Sequence, residues 1–563
     1  MKKKILNLLF QYWHIAIIII VSFCFFLGSS SYSYITQKQD FVKWSSPDEA
    51  ANYNFTKLYA QAGQLSFFEK YNFVSLDVIR PRSYRSDGGS IKPVSFLGII
   101  LIYGSIAKLL GHNLIPYLTP FFAAAGIVFY YLLVKKIFGK SNALISAWLL
   151  AVFPPYIYYS AHSMFHNSLF TVLLIISLYF IVLSVEKRKY PLKLNWPGLL
   201  FSAVAGLLLG LAVITRASEL IWLIPFWLIL WIVNLKKFGL ARLIIFIACL
   251  LFALTPAMYW NQILYHSFWR GGYNEANRSI ANIADASSSL LKTASIKSNL
   301  TRIKNNIFYF GWRPLKSLKM FYYYFTAIFY WIFWPAALGL VLFLKKIKKW
   351  KKRHYAYLIS YFCFSLILIF YYGSWDFHDN PDPASRTIGN SYARYWLPVY
   401  LGALPLASLF ISRLTNLLRK KILIGAARAL IAAIIFFISL KFVLTGSAEG
   451  LAPSAQKQLS AQQEFNQVVK LTEARAIIIT QYHDKLFFPE RKVIVGLFND
   501  NNMIKQYAVL AQYLPLYYYN FTLPPADLDY LNNRRLAEFG LRIEPVEQIT
   551  KNFTLYKLYE NRH

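Results

Sequence analysis

Apolar stretches are the feature of this sequence that most constrains its fold. About eleven of them are close to 20 residues long, the length that an α-helix needs to cross the hydrocarbon core of a bilayer. They cover roughly residues 11–33, 115–134, 142–159, 167–184, 198–214, 218–234, 243–260, 320–344, 355–373, 393–411 and 425–445. Since lipid offers no hydrogen bonds to the backbone, such segments can cross only as helices. We therefore predict a polytopic α-helical membrane protein.

The charged residues agree with a membrane protein. They make up 15% of the 563 residues, against about a quarter in soluble proteins, and the net charge is +35. The Lys and Arg residues fall in clusters between the apolar stretches, as the positive-inside rule requires. This distribution argues against a nucleic-acid partner, which would need a continuous basic surface.

One further apolar stretch, Lys92 to Gly111, decides the orientation. If it does not cross the membrane, all the basic clusters lie on one side: 2–4, 135–140, 186–189, 236–242, 345–353 and 419–421. We therefore predict an interfacial or re-entrant helix over 92–111, an ordinary span being the alternative. The N-terminus, interpreted as an uncleaved first span, is then cytoplasmic, and everything after about residue 446 is extracytoplasmic.

The extracytoplasmic side carries the long polar segments. They are 35–114, 261–318, 374–392 and the C-terminal region from about 446. In that region 476–480, 492–495 and 553–558 are typical of strands, and 455–472 and 502–514 of helices. We predict a transmembrane domain over 1–445, with a first outside loop at 35–114, and a small soluble α/β domain over 446–563.

The first outside loop begins with an acidic pair, Asp48-Glu49. Ser46-Pro47 directly before it predicts the start of a helix, with both carboxylates in the first turn. There they could merely complement the helix dipole, an effect of at most about 1 kcal/mol. Alternatively, a carboxylate so close to the first span could take a proton from an acceptor hydroxyl at the membrane surface.

Several basic residues are candidates for binding a phosphate. Arginine grips phosphate through two donors, although near lipid such residues often bind headgroups instead. Two further arginines lie at span ends, where ionisable groups are costly and often functional. For one of these, Arg216, a local ion pair with Glu219 is the alternative. The candidates are Arg80, Arg82, Arg85, Lys92, Arg216 and Arg394.

Two histidines, His162 and His166, flank the junction of the third and fourth spans. If the segment is helical, their spacing places both on one face, as in a two-histidine metal site. Ordinary interfacial histidines are the alternative. Other outside residues that could complete a site with a divalent metal ion are Asp87, His266, Asp376, His378, Asp379 and Asp382.

These features together resemble the GT-C superfamily of membrane glycosyltransferases. They are a first span, a long loop that opens with an acidic pair, a Lys-Pro element at Lys92-Pro93, and two spans joined by a polar junction after Pro154-Pro155. The similarity covers roughly residues 10–280 and is to the branch of protein O-mannosyltransferases, aminoarabinose transferases and rhizobial lipopolysaccharide sugar transferases. Arg394-Tyr395 extends it to a later span.

The resemblance implies an inverting transfer of a sugar from a polyprenyl-phosphate donor to an extracytoplasmic acceptor: a lipid, a glycan or a protein. By position, Asp48 would be the catalytic base, Glu49 its supporting neighbour and Lys92 a ligand of the donor phosphate. Arg216 matches a basic residue that commonly follows Leu-Thr. The expected partners are this donor, the acceptor and membrane lipids, and the expected location is the plasma membrane.

The sequence departs from the family pattern at two positions. Val94 stands where the Lys-Pro-Pro element has its second proline, and His166 falls near where relatives often have an acid. The second departure leaves metal dependence open. A transporter, or a flippase or polymerase of lipid-linked glycans, is the alternative function. A transporter should carry ionisable residues near mid-membrane, whereas here they gather at one face.

Overall fold

The computed structural model describes residues 2–38, 41–186, 196–273, 311–377, 379 and 385–560. Within these residues, nine helices are long and apolar enough to cross a membrane, or up to eleven if each of two bent pairs is one span. Each of the eleven predicted stretches coincides with one of these helices or pairs. The prediction of a polytopic helical protein is confirmed.

The helices of the membrane region follow one another with short connections. Their bounds are α1 Lys2–Thr36, α4 Ile115–Phe138, α5 Lys140–Ala151, α6 Pro154–Ala161, α7 His166–Glu186, α8 Trp196–Thr215, α9 Leu220–Phe238, α10 Leu240–Tyr265, α11 Pro314–Phe321, α12 Tyr330–Leu344, α13 Lys352–Gly373, α14 Ser391–Tyr395, α15 Leu397–Asn416 and α16 Lys421–Thr445. Two helices of the first outside loop, α2 Pro47–Ala62 and α3 Gly98–Leu110, come between α1 and α4.

Two of the predicted spans are bent. Between α5 and α6 the direction changes by 50°. Proline explains this break: Phe153, which precedes Pro154, has the extended ψ of 120° that a following proline favours. In the second pair a π-helical turn, Tyr322–Ala327, follows α11, and the segments meet α12 at 102°. Sequence hydropathy detects neither bend, because it reports how apolar a segment is and not the direction of its axis.

The chain divides into two compact units. The first comprises residues 1–33, 116–256 and 282–454, and the second comprises 34–115, 257–281 and 455–563. The C-terminal region thus shares a unit with the first outside loop. The predicted division at residue 445 stays a prediction.

Close helix contacts in the first unit depend on glycine. A Cβ at Gly206 would lie 2.1 Å from the carbonyl oxygen of Phe246, and one at Gly339 would lie 1.8 Å from that of Leu406. Without a side chain, α8 approaches α10 and α12 approaches α15 backbone to backbone. Small residues serve this purpose in membrane proteins generally, where packing rather than the hydrophobic effect holds helices together.

The first outside loop contains a small sheet that the sequence did not reveal. Its strands are β1 Phe67–Phe68, β2 Tyr84–Asp87 and β3 Ser90–Pro93, in the order β1-β3-β2. The predicted helix over 92–111 was therefore wrong at its start, because Lys92 and Pro93 end a strand and α3 begins at Gly98. With 13 residues, α3 is too short to cross a bilayer.

The C-terminal region of the second unit forms an α/β domain, as predicted. Its sheet has the order β5-β4-β6-β8-β7, in which β4 pairs in parallel with β5 and β6. The elements are α17 Leu451–Leu471, β4 Ile477–Thr480, α18 Asp484–Phe487, β5 Lys492–Val495, α19 Asn501–Ala511, β6 Leu516–Phe521, α20 Pro525–Tyr530, β7 Leu541–Gln548 and β8 Phe553–Glu560. Two of its strands, β6 and β7, were not predicted.

The glycine contacts predict a difference between two substitutions. Gly339→Ala forces α12 away from α15, so we expect a loss of stability of about 1–3 kcal/mol, the usual cost of overpacking. Gly425→Ala, on α16, meets nothing within 4 Å and should be neutral or stabilising, since alanine favours helices by about 1 kcal/mol. Thermal unfolding of both variants in detergent checks this. Equal melting temperatures would contradict the inferred contact.

Candidate active site

The acidic pair opens helix α2, as predicted. Ser46 is the N-cap, Pro47 is the first helical residue, and Asp48 and Glu49 lie in the first turn. The two carboxylates differ in their surroundings. Glu49 is buried and accepts a hydrogen bond from the backbone N–H of Ser46, which makes it part of the helix cap. Asp48 is half-buried.

Asp48 is held by a serine that comes later in the same loop. The Ser83 hydroxyl donates to Asp48 Oδ1 over 2.6 Å. Ser83 has a φ of +64°, in the left-handed region that serine rarely adopts, so its backbone is held there by its neighbours. The contact joins the carboxylate to the residue directly before strand β2.

The neighbour that holds this turn is Arg82. Its backbone N–H and its Nε donate to the two carboxylate oxygens of Asp484, over 2.8 and 3.0 Å. Its Nη2 also contacts Asp484, and it donates to the carbonyl of Tyr482 over 3.0 Å. Asp484 is fully buried, whereas the Arg82 side chain is 37% exposed, and their contacts order the chain directly before Ser83. Arg82 is thus engaged by a carboxylate of the C-terminal domain.

Two of the predicted cations lie side by side on the small sheet. Arg85 on β2 is the register partner of Lys92 on β3. Both pair with Asp87: Arg85 Nε at 2.9 Å and Lys92 Nζ at 2.5 Å. Lys92 Nζ also donates to the carbonyl of Leu264 over 2.6 Å and is almost fully buried.

The same ion pairs affect the acid between them. Burial disfavours the charged form of Asp87, but the hydrogen bonds from Lys92 and Arg85 outweigh this effect and hold the pKa of Asp87 below its usual value. The carboxylate is therefore charged at neutral pH and balances one of the two cations. The two cations together carry one more charge than this carboxylate.

A buried lysine of the C-terminal domain adds to the charge around the acidic pair. Burial lowers the pKa of Lys485 to about 8, and the nearby Arg82 acts in the same direction. Asp484 and Glu49 oppose this shift. Arg80, the remaining predicted cation of the loop, donates to the carbonyl of Tyr84 over 2.9 Å.

In the first unit, Arg216 is engaged by buried partners. It pairs with Glu219 at 2.7 Å, donates to Asn167 and Tyr372 over 3.1 Å each, and lies 4.6 Å from the ring centre of Tyr395. The local pair that the sequence offered as an alternative is therefore present. These contacts offset the desolvation of the guanidinium near the membrane. Phosphate binding by Arg216 stays a prediction.

Arg394 lies on the short helix α14 of the same unit. Its Nη2 donates to the hydroxyl of Ser391 over 2.8 Å, and its guanidinium lies 4.6 Å from the ring centre of Phe165. Both contacts are consistent with an anchored cation. Nothing in them identifies a ligand, so its predicted role in donor binding also stays a prediction.

The two histidines do not form the predicted helical pair. His162 ends α6, Ser163 has a φ of +73°, and His166 begins α7, so the segment between them is not helical. Both rings are buried, and His162 lies 4.4 Å from the ring of Tyr158. The two histidines therefore do not share a helical face, because a turn after α6 lies between them.

The residues offered to complete a metal site are scattered. Asp87 pairs with two cations of the second unit, whereas Asp376 pairs with Arg313 and Lys316 of the first. His266 follows α10, and Asp379 accepts from the backbone of Ser391. His378 and Asp382 lie outside the described residues. Within the described residues, no three His, Cys, Asp or Glu side chains come close enough to hold a metal ion.

Sequence reasoning missed two residues that organise the acidic pair. Ser83 carried no signal, because a left-handed serine looks like any loop serine. Asp484 follows a predicted strand, but it is 402 positions from Arg82, and only folding brings the two together. A half-buried carboxylate beside excess positive charge can accept a proton from a hydroxyl while an anionic group leaves.

A comparison with protein families finds one match. Residues 95–260 match the family described as dolichyl-phosphate-mannose-protein mannosyltransferase. This segment begins after β3 and extends from just before α3 to the later part of α10. A search of curated protein sequences gives no match.

Two groups of solved structures share the fold. AglB, the oligosaccharyltransferase from Archaeoglobus fulgidus in complex with an inhibitory peptide and a dolichol-phosphate, has a TM-score of 0.52 at 13% identity, covering 93% of this chain and 70% of that one. ArnT from Cupriavidus metallidurans bound to undecaprenyl phosphate has a TM-score of 0.53 at 10% identity, covering 97% and 98%. This chain therefore has the fold of these two proteins, and its residues 95–260 are similar to a family of membrane mannosyltransferases.

Proposed function

We propose that the chain transfers a sugar, with inversion, from a polyprenyl-phosphate-linked donor to an acceptor outside the cytoplasm. The observation that carries the proposal is the Asp48 carboxylate, half-buried in the first turn of α2 and held by Ser83 directly before the strand that bears Arg85. Arg85 is two positions after Ser83, which in an extended chain is a distance of about 7 Å. Base and phosphate ligand thus belong to one small region of the second unit.

In this mechanism Asp48 takes the proton of the acceptor hydroxyl. The acceptor oxygen attacks the anomeric carbon from the face opposite the phosphate, and the bond from carbon to phosphate oxygen breaks. The electron pair stays on that oxygen, which leaves as polyprenyl phosphate. A positioned base of this kind contributes about 10²- to 10⁴-fold to the rate.

Lys92 and Arg85 are the proposed ligands of the donor phosphate. Since Asp87 balances only one of their two charges, a phosphate brought next to them gains a net attraction. Arg80 is a further candidate, and Arg216 and Arg394 remain candidates from the first unit. The solved structures of AglB with a dolichol-phosphate and of ArnT with undecaprenyl phosphate support a donor of this chemical class.

The C-terminal domain contributes to the proposed mechanism through Asp484. By holding Arg82, this buried carboxylate orders the turn that presents Ser83 to Asp48. We therefore assign Arg82 to positioning the base rather than to binding the donor phosphate. This replaces the prediction from sequence, which treated Arg82 as one of several phosphate ligands.

The proposed location is the plasma membrane, with the N-terminus in the cytoplasm and the C-terminal domain outside. The distribution of basic loops supports this orientation. Asp48 follows the first span closely in the sequence, which supports a reaction at the outer surface.

The first test replaces the base. Asp48→Asn should lower sugar transfer by about 10²-fold or more, because the amide cannot take the acceptor proton. The measurement is release of radiolabelled sugar from synthetic polyprenyl-phosphate donors by the purified enzyme. Asp527→Asn, an exposed acid in the first turn of α20, is the matched control and should have normal activity. Near-normal turnover of Asp48→Asn would remove Asp48 from the mechanism.

A second test concerns the donor phosphate. Lys92→Ala should raise the KM for the donor more than it lowers kcat, since it removes the charge that Asp87 leaves unbalanced. Arg542→Ala, which removes a cation paired with Glu544 on the C-terminal sheet, is the control. If the donor KM of Lys92→Ala is unchanged, Lys92 does not bind the donor phosphate and has a structural or headgroup-binding role instead.

A third test separates positioning from phosphate binding. Arg82→Gln and Asp484→Asn should each lower kcat by about tenfold with little change in donor KM, and the double variant should be no worse than either single one. Such coupling is expected when two residues act through one contact. A large rise in donor KM for Arg82→Gln, with no effect of Asp484→Asn, would instead assign Arg82 to the donor phosphate.

A further inference from the structure

A cavity of about 520 Å³ lies among five helices of the first unit, and none of the residues assigned to the proposed mechanism lines it. Its walls are formed by α4, α7, α9, α13 and α15. The lining is mostly aliphatic and aromatic, as at Leu133, Leu174, Leu178, Phe226 and Leu401. Such a surface suits hydrocarbon rather than a water-soluble ligand.

The hydroxyl groups in these walls are largely satisfied by the protein. Tyr130 donates to the carbonyl of Leu401, and Tyr357 donates to that of Gly402. These tyrosines therefore present ring carbon to the cavity. Ser360 differs: it lines the cavity, its Oγ is buried, and within the described residues it has no hydrogen-bond partner.

One end of the cavity is basic. The residues Lys136, Lys351, Lys352 and Arg353 line it there. Two contacts bring these segments together: Arg353 Nη1 donates to the carbonyl of Lys136 over 2.8 Å, and His354 Nε2 lies 3.1 Å from the carbonyl oxygen of Ile137. Four cations thus converge where α4 ends and α13 begins.

The cavity is long compared with one leaflet. Along α7 its lining runs from Thr171 to Val185, and at 1.5 Å per residue these fourteen steps span about 21 Å. Half of the hydrocarbon core is about 15 Å. An acyl chain that starts at the basic end can therefore be accommodated over its full length.

We propose that this cavity binds an anionic phospholipid, with the headgroup phosphate on the four cations and acyl chains along the apolar walls. Charge complementarity selects an anionic over a zwitterionic headgroup, as for basic pockets between transmembrane helices. The proposal is independent of the proposed function, since it uses neither Asp48 nor the cations of the first outside loop.

Lipid titrations of the purified protein test the proposal, with binding read by native mass spectrometry. We expect phosphatidylglycerol to form a one-to-one complex with the protein at low lipid concentration. Phosphatidylcholine should bind at least tenfold more weakly. The triple variant Lys351→Gln, Lys352→Gln, Arg353→Gln should weaken phosphatidylglycerol binding about tenfold. The triple variant Lys345→Gln, Lys346→Gln, Lys348→Gln removes the same charge from residues that do not line the cavity, and should bind normally.

A second variant tests the apolar part without changing charge. Leu178→Trp fills the cavity and should weaken the adduct as much as the basic triple variant does. Equal weakening by both triple variants would overturn the site in favour of diffuse surface attraction. The site would also be overturned by equal affinity for phosphatidylcholine or by unchanged phosphatidylglycerol binding to Leu178→Trp. If undecaprenyl phosphate displaced phosphatidylglycerol one for one, the cavity would instead be a channel for the donor chain.

Discussion

The bilayer's lack of hydrogen-bonding groups is the constraint on which the rest of this structure depends. Each crossing segment must satisfy its backbone within itself, so the first unit is a set of helices. Because the surrounding lipid is as apolar as leucine, close packing at glycines such as Gly206 and Gly339 replaces the hydrophobic effect as the means of association. A charge in such a place needs partners, and Arg216 has them in Glu219, Asn167 and Tyr372.

The second unit follows the rules of soluble proteins instead. The first outside loop has only a small sheet, with strands of two to four residues, and it shares a core with the C-terminal domain. Ile79 of the loop is buried in one cluster with Ile477, Ile494 and Leu516. The acidic pair is thus ordered by a domain more than 400 residues away, through Asp484 and Arg82. This gives the C-terminal domain a structural link to the proposed chemistry.

The membrane spans and the acidic helix start could be predicted because their signals are local. Twenty apolar residues fix a span, and Ser46-Pro47 before Asp48-Glu49 fixes the first turn of α2. The failures have one common cause. The segment from Lys92 to Gly111 is mostly apolar, yet its first residues pair with β1 and β2. Local hydropathy cannot predict which strands pair with each other. The histidine pair failed similarly, because Ser163 adopts a left-handed turn.

The sequence by itself determined that the chain has many segments able to cross the membrane and that Asp48 lies in the first turn of a helix. These properties depend on residue type and spacing along the chain. Only the tertiary structure decided that Ser83 and Arg82 position Asp48, that Arg85 and Lys92 share Asp87, and that basic helix ends meet at an apolar cavity. These are contacts between residues distant in sequence, and they exist only when packing and hydrogen bonding bring the segments together.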